Sequence, residues 1–144
     1  MPTRPEIAPP EDEAAALPAE RPFKGKTGLV RIFHAFFHSW AGLAEAWRHE
    51  SAFRQEVVLA AVLIPIACWA PVTAGERALL VAVVLLVIIV ELLNSSVETA
   101  IDRISLDRHS LSKRAKDIGS AAVFVALVLC VVVWAMILTP AILA

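Results

Sequence analysis

Residues 118–139, IGSAAVFVALVLCVVVWAMILT, contain no charged side chain. A helix needs about 20 predominantly apolar residues to cross the hydrocarbon core of a bilayer, so this run reads as a membrane span by itself. Two further apolar runs, Val57–Val72 and Ala78–Leu93, are shorter. They reach spanning length only when their polar flanks sit among the lipid headgroups. The predicted spans are therefore 52–72, 77–97 and 118–139. Hydrocarbon offers the backbone no water to bond, so each span must satisfy its own amides as a helix. Pro65 lies inside the first span and predicts a kink there, which neighbouring helices can tolerate. A length of 144 residues with 58% hydrophobic side chains and a mean hydropathy of +0.70 fits one all-α membrane domain.

Residues 1–26 differ in kind. Five acids and six prolines fall within residues 1–22, with no apolar stretch between them. Such a segment cannot bury enough surface to fold and is expected to be a disordered acidic, proline-rich tail rather than a secretory signal. Residues 27–144 then form the single membrane-embedded domain. Cys68 and Cys130 each sit inside an apolar run and read as small hydrophobes. The net charge of −1 gives no polycationic surface, so no nucleic-acid partner is expected.

Basic residues set the orientation. Arg21, Lys24, Lys26, Arg31, Arg48 and Arg54 precede the first apolar run, and Arg103, Arg108, Lys113, Arg114 and Lys116 lie between the second and third. The segment PVTAGER has one arginine and the closing TPAILA has no charge. The positive-inside rule places the N-terminus and the second loop in the cytoplasm. Before the first span, Leu29, Ile32, Phe33, Phe36, Phe37, Trp40, Leu43 and Trp47 recur at three- and four-residue steps. That periodicity predicts an amphipathic helix over 27–51. Its aromatic content suits a helix lying in the membrane interface, and a helix packed on the protein shows the same periodicity.

The sharpest feature is acidic. VIIVELLNSSVETAIDR, residues 87–103, begins as membrane-grade hydrophobic sequence and then gains Glu91, Glu98 and Asp102. At about 100° per residue, Glu98 stands about 20° round from Glu91 and Asp102 about 40° further, with Asn94 and Ser95 between. Glu91 is the deepest by roughly 10 Å. Solvation of the helix end, with Asp102 paired to Arg103, accounts for Asp102 and partly for Glu98. It does not account for Glu91, since an acid within a span is costly and points to function. A second acidic group, Glu50 and Glu56 in HESAFRQE, sits at the same expected depth as Glu98. Carboxylates gathered without cysteines or zinc-spaced histidines suit Mg²⁺, which takes one or two carboxylates together with substrate phosphates. His34 and His38, spaced i and i+4, lack a third ligand in register and suit a structural or headgroup role. KGKT at 24–27 has Glu20 where a phosphate-binding loop needs its first glycine. Lys113 and Arg114 fit the positive-inside bias, whereas Lys116 and Asp117, at the mouth of the third span, could meet a nucleotide.

The strings WRHESAFRQE, ELLNSSVETAIDR and SKRAKDIGSAAV closely resemble the small integral-membrane diacylglycerol kinases of bacteria. The resemblance runs from about Arg31 to Trp134. It implies a homotrimer with sites formed between subunits at the cytoplasmic membrane surface, where ATP with Mg²⁺ phosphorylates a lipid hydroxyl. Carried over, Glu91 resembles the catalytic base, with Asn94 and Asp102 in support, and Glu50 and Glu98 resemble the metal-binding pair. Arg31, His38, Glu50, Glu98, Asp107, Arg108, His109, Lys116 and Asp117 match nucleotide-contacting positions; His38 stands where a tyrosine is expected. Positions lining the lipid site match Arg31, Ala35, Phe36, Phe37, His38, Ser39 and Trp40 on the surface helix, followed by Ala44, Glu45, Ala46 and Trp47. The same lining continues through Ala52, Phe53, Arg54, Gln55 and Glu56, and takes in Trp69, Arg77, Glu91, Ser120 and Trp134.

Phosphoryl transfer depends on positioning and charge neutralisation. The expected activity is ATP- and Mg²⁺-dependent conversion of diacylglycerol to phosphatidic acid at the inner membrane, as part of phospholipid recycling. Undecaprenol is an alternative lipid substrate, and an ion or proton conductor lined by Glu91 an alternative of another class. A conductor has no need of the second acidic group or of the lysine–aspartate pair at one surface.

Overall fold

The computed structural model describes residues 28–104 and 109–143. Within them lie four helices: α1 (Leu29–His49), α2 (Ser51–Trp69), α3 (Ala74–Ile104) and α4 (Ser110–Leu143). No strand occurs among the described residues. α2, α3 and α4 are each long and apolar enough to cross a bilayer. The protein is an all-α membrane protein. The acidic tail expected over 1–26 lies outside the described residues, as do Asp107 and Arg108. The chain divides into two units, one ending at Phe37 and one from His38 to Ala144. The described part of the first is the opening of α1, where Phe33, Phe36 and Phe37 are exposed.

α3 is the central helix, packed against both α2 and α4. Its buried side chains, Leu80, Val83, Val84, Val87, Glu91 and Ser95, recur at three- and four-residue steps along one stripe. Val83, Val84 and Val87 meet Ala60 of α2 and Ala126 and Cys130 of α4 in one apolar cluster. The small alanines let the helices approach closely, which is how packing holds helices together where lipid removes the hydrophobic drive. On the outward face of α4, Phe124, Val125, Val131 and Met136 are exposed, as befits side chains that meet acyl chains. Trp134 of α4 donates its indole N–H to the Leu80 carbonyl at 3.2 Å, tying α4 to the far end of α3.

The helices outrun their apolar runs at one end. α3 continues through the polar segment that ends at Ile104, and α4 begins at Ser110, ahead of the uncharged 118–139. These polar extensions lie where α3 and α4 are joined, so one end of the bundle carries nearly all its charge. α2 keeps Pro65 within a continuous helix.

Two arginines close the other junctions in the same way. Arg54, one turn into α2, donates through Nη1 to the carbonyls of Trp47 at 3.0 Å and Arg48 at 3.2 Å, the last turn of α1. Arg77, one turn into α3, donates through Nη2 to the carbonyls of Ala70 at 3.2 Å and Val72 at 3.4 Å, just past α2. Helix C-termini leave carbonyls without intrahelical partners, and a guanidinium both bonds them and opposes the negative end of the dipole. At the start of α3, Thr73 and Glu76 complete a capping box. The Glu76 carboxylate accepts from the Thr73 amide at 2.8 Å and hydroxyl at 2.7 Å, while the Glu76 amide donates to Thr73 Oγ1 at 3.3 Å. Thr73→Ala removes that cap and is expected to cost about 1 kcal/mol, seen as a lowered thermal midpoint in detergent. An unchanged midpoint counts against the cap.

Candidate functional site

Glu91 continues the buried stripe of α3 and is only 4% exposed. One turn on, Ser95 is also buried. Glu98 stands two turns beyond Glu91 and is half-buried. Glu50 approaches from the α1–α2 junction and Glu56 from the first turns of α2. The charge of Glu91 is within electrostatic reach of Glu50 and Glu98, and that of Glu56 within reach of Glu91. Glu50, Glu56 and Glu98 thus each lie within electrostatic reach of Glu91.

The neighbouring polar groups divide into those already satisfied and those that are not. Ser96 Oγ donates to the Leu93 carbonyl at 2.8 Å and Thr99 Oγ1 to the Ser95 carbonyl at 2.9 Å, the usual recourse of hydroxyls in a helix. By contrast, Glu56 Oε2 and Asn94 Oδ1 are buried without a hydrogen-bond partner. An unmet buried acceptor is costly; Glu56 Oε2 belongs to a side chain within electrostatic reach of Glu91, and Asn94 Oδ1 lies against Gly119 of α4. Asn94 Nδ2 donates to Glu98 Oε1 at 3.1 Å and fixes that carboxylate.

Glu50 is the single residue between α1 and α2. Its backbone is extended, with φ −102° and ψ 112°, and its side chain makes no capping bond. The carboxylate is left available while Arg54 holds the joint. Beside it lies a groove of about 780 Å³ between α1 and α3, lined among others by Ser39, Glu45, Ala46, His49 and Glu50 on one side and Leu92, Ser95, Ser96 and Thr99 on the other. The volume is within the range of small-molecule sites. A second, mostly apolar groove of about 470 Å³ runs between α1 and α2, lined by Trp40, Leu43, Ala44, Trp47, Arg48, Phe53 and Val57.

Charge partners at the α3–α4 end are different from those the local sequence suggests. Asp102 does not pair with its neighbour Arg103; Lys116 of α4 bonds Asp102 Oδ1 at 2.6 Å, because adjacent helix residues point apart. Lys116 also lies within electrostatic reach of Glu98. Asp117 pairs with Lys113 one turn earlier at 2.6 Å. His109 serves as the cap of α4, its Nδ1 accepting from the Leu111 amide at 3.2 Å.

Several residues singled out in the sequence stand elsewhere. Trp69, 84% exposed, Arg77 and Trp134 occupy the opposite end of the bundle. Arg77 and Glu91 are separated along α3 by about 21 Å. Ser120, Ala52 and Gln55 are exposed. Among the described residues no three His, Cys, Asp or Glu side chains stand close enough to hold a metal ion unaided. Mg²⁺ fits the donor set only with phosphate oxygens completing its shell, its usual mode of binding; like-charged carboxylates in mutual reach favour such a cation.

A sequence profile of the prokaryotic diacylglycerol kinases matches residues 37–138. The chain belongs to this family. It is 60% identical over 117 residues to a diacylglycerol kinase of Pseudomonas aeruginosa, covering 81% of this chain and 95% of that protein. Over 112 residues it is 50% identical to the diacylglycerol kinase of Escherichia coli K12, covering 78% and 92%. The Haemophilus influenzae diacylglycerol kinase is 48% identical over 112 residues, covering 78% and 95%.

Sequence reasoning missed the division of labour at the junctions. Arg54 holds backbone carbonyls, and Gly119 of α4 lies against Asn94, where an added Cβ would collide with Asn94 Oδ1. Nothing in a single sequence marks either contact, since each partner is on another helix. Arg54→Lys leaves one ammonium where a guanidinium bridged two carbonyls. Amides near Glu50 are expected to exchange hydrogen about tenfold faster, equivalent to about 1.4 kcal/mol of local stability, with the amides of 80–90 unchanged. Equal exchange in both regions removes Arg54 as the clamp of this joint.

Proposed function

We propose that this protein is a lipid kinase that transfers the γ-phosphoryl group of ATP to the primary hydroxyl of diacylglycerol, yielding phosphatidic acid. The observation that carries the reading is the buried carboxylate of Glu91, set two turns below Glu98 in a chain whose relatives are named diacylglycerol kinase. The reaction forms a bond between the lipid oxygen and the γ-phosphorus and breaks the bond from that phosphorus to the bridging oxygen. ADP leaves with the electron pair. The hydroxyl proton passes to Glu91, which acts as general base.

Each other group then has a task. Glu50 and Glu98 hold Mg²⁺, which when bound with ATP neutralises phosphate charge. Asn94 keeps the Glu98 carboxylate in place. Lys116, anchored by Asp102, contributes positive charge near Glu98, and His38, Asp107, Arg108, His109 and Asp117 contact the nucleotide. The apolar groove containing Trp40, Trp47 and Phe53 suits acyl chains, and α1 suits the interface plane that delivers them. The depth of Glu91 follows from its substrate, since a diacylglycerol hydroxyl lies at the membrane boundary and not in water. The protein works in the bacterial inner membrane with its N-terminus and site on the cytoplasmic side, as a homotrimer whose sites form between subunits.

The test is incubation of the purified protein with radiolabelled ATP, Mg²⁺ and either diacylglycerol or undecaprenol in mixed micelles. Labelled phosphatidic acid supports the reading. Labelled undecaprenyl phosphate alone moves the substrate to that lipid, and no labelled lipid overturns kinase activity altogether.

Replacing Glu98 or Glu50 by Gln puts a neutral amide where a hard cation prefers charge, so the Mg²⁺ concentration for half-maximal activity is expected to rise. Titrations superimposable on wild type take both out of the metal site. Glu91→Gln keeps shape but abolishes basicity. Its kcat is expected to fall roughly 10²–10⁴-fold with nucleotide affinity nearly constant and thermal stability equal or higher, because a buried charge has gone. Near-normal turnover sinks the assignment of Glu91 as base.

A further inference from the structure

Gly119 lies within the continuous helix α4. Gly is less stable than Ala within a helix, so a glycine in open space there gains from replacement. Gly75 is such a case, with nothing within 4 Å of the place a Cβ would take. Gly119 is not. A Cβ at Gly119 would collide with Asn94 Oδ1 and lie 3.3 Å from Asn94 Cγ and 4.0 Å from Asn94 Cβ, its three nearest atoms. The space a side chain would fill is occupied by the Asn94 carboxamide.

The orientation of that carboxamide is dictated from its other end. Glu98, as a carboxylate, only accepts, so the amide group of Asn94 must face it, and Nδ2 does so at 3.1 Å. Oδ1 is thereby turned away, into a buried position with no hydrogen-bond donor. An oxygen in that position stays only while nothing displaces it, and the backbone of Gly119 is what leaves it room.

We propose, on the phosphotransfer reading given above, that Gly119 is a positioning residue of the site: by presenting no side chain it admits Asn94 in the one orientation that holds the Glu98 carboxylate. A methyl group at 119 evicts the end of a flexible side chain and leaves the helices where they are. Asn94 swings out and Glu98 loses its donor. The effect therefore falls on the metal-binding carboxylate and not on the fold.

The experiment uses the full-length protein in mixed micelles, with Gly119→Ala, Asn94→Ala, the double variant and Gly75→Ala as control. Each is followed by thermal unfolding without nucleotide or metal and by Mg²⁺ titration of phosphotransfer at saturating ATP. Loss of a group that orients a metal ligand typically weakens metal binding or activity by about 10- to 100-fold. Gly119→Ala is expected to melt near wild type and to shift its Mg²⁺ requirement by that order, while Gly75→Ala melts at or above wild type and leaves the Mg²⁺ requirement unchanged. In the Asn94→Ala background, adding Gly119→Ala is expected to leave the Mg²⁺ requirement unchanged and to melt no lower. A wild-type Mg²⁺ titration in Gly119→Ala overturns the proposal, and so does an equal penalty in both backgrounds. Should Gly119→Ala fail to fold, recovery of folding in the double variant supports the contact and its failure there overturns it. A wild-type protein that phosphorylates no lipid defeats the phosphotransfer reading instead, an outcome distinct from an active wild type beside an unaffected Gly119→Ala.

Discussion

Hydrocarbon offers the peptide backbone no partner, and the rest of this protein is arranged around that constraint. It forces α2, α3 and α4 to be continuous helices and leaves most unpaired amides and carbonyls at the helix ends, Pro65 of α2 being an exception. The ends must then be closed by side chains. Arg54 and Arg77 meet this requirement at the two junctions on either side of α2, each reaching back from one turn into the following helix. Between those ends, Val83, Val84 and Val87 pack against Ala60 of α2 and against Ala126 and Cys130 of α4 in one apolar cluster. Glu91 breaks that stripe's chemistry without breaking its geometry, since it is as buried as the valines before it.

The polar residues following Glu91 show why the charged end of the bundle is more than a solvated cap. A helix leaving the membrane needs polar side chains, and Ser96 and Thr99 supply them at little cost by bonding their own helix. Asn94 and Glu56 do not close their hydrogen bonds in this way. The proximity of Glu91 to Glu50 and to Glu98 also works against stability, as like charges repel in a partly desolvated setting. Residues that cost stability and lie together, near a groove large enough for a small molecule, are better explained by a ligand than by folding. Ion pairs farther out, such as Lys113–Asp117, are exposed and contribute little to stability; Lys116–Asp102 matters more for where it holds the lysine.

The sequence carried the helices well, because length and unbroken apolarity suffice to define a span, and the 3.6-residue period was enough to put Glu91 and Glu98 on one stripe. Its limits appear wherever a contact joins two elements. Asp102 has an arginine beside it in sequence, yet its partner Lys116 is fourteen positions away on another helix. Arg54 lies among acids and reads as a site residue, while its guanidinium bonds backbone carbonyls of α1. Trp134 matches, by resemblance, a position lining the lipid site, and its indole ties α4 to Leu80. Gly119 shows no periodicity at all, for its importance lies in the space it leaves.

The two helix starts on either side of α2 make the clearest case for what Glu50 does. Each is a short junction with a glutamate close by and an arginine one turn into the next helix. At the start of α3, Thr73 receives the capping role and Glu76 turns its carboxylate back to it, so that acid is fully occupied by local structure. At the start of α2, the capping position itself is a glutamate, a residue poorly suited to that role beside Ser, Thr, Asp or Asn. Its side chain makes no cap bond. A serine or aspartate there would satisfy an amide of α2 and leave nothing over. Glutamate forgoes the cap, leaves the closing of the joint to Arg54, and keeps a carboxylate facing the groove within reach of Glu91. The weaker helix start is the arrangement expected where the side chain has work outside the helix, and the stronger one where it has none.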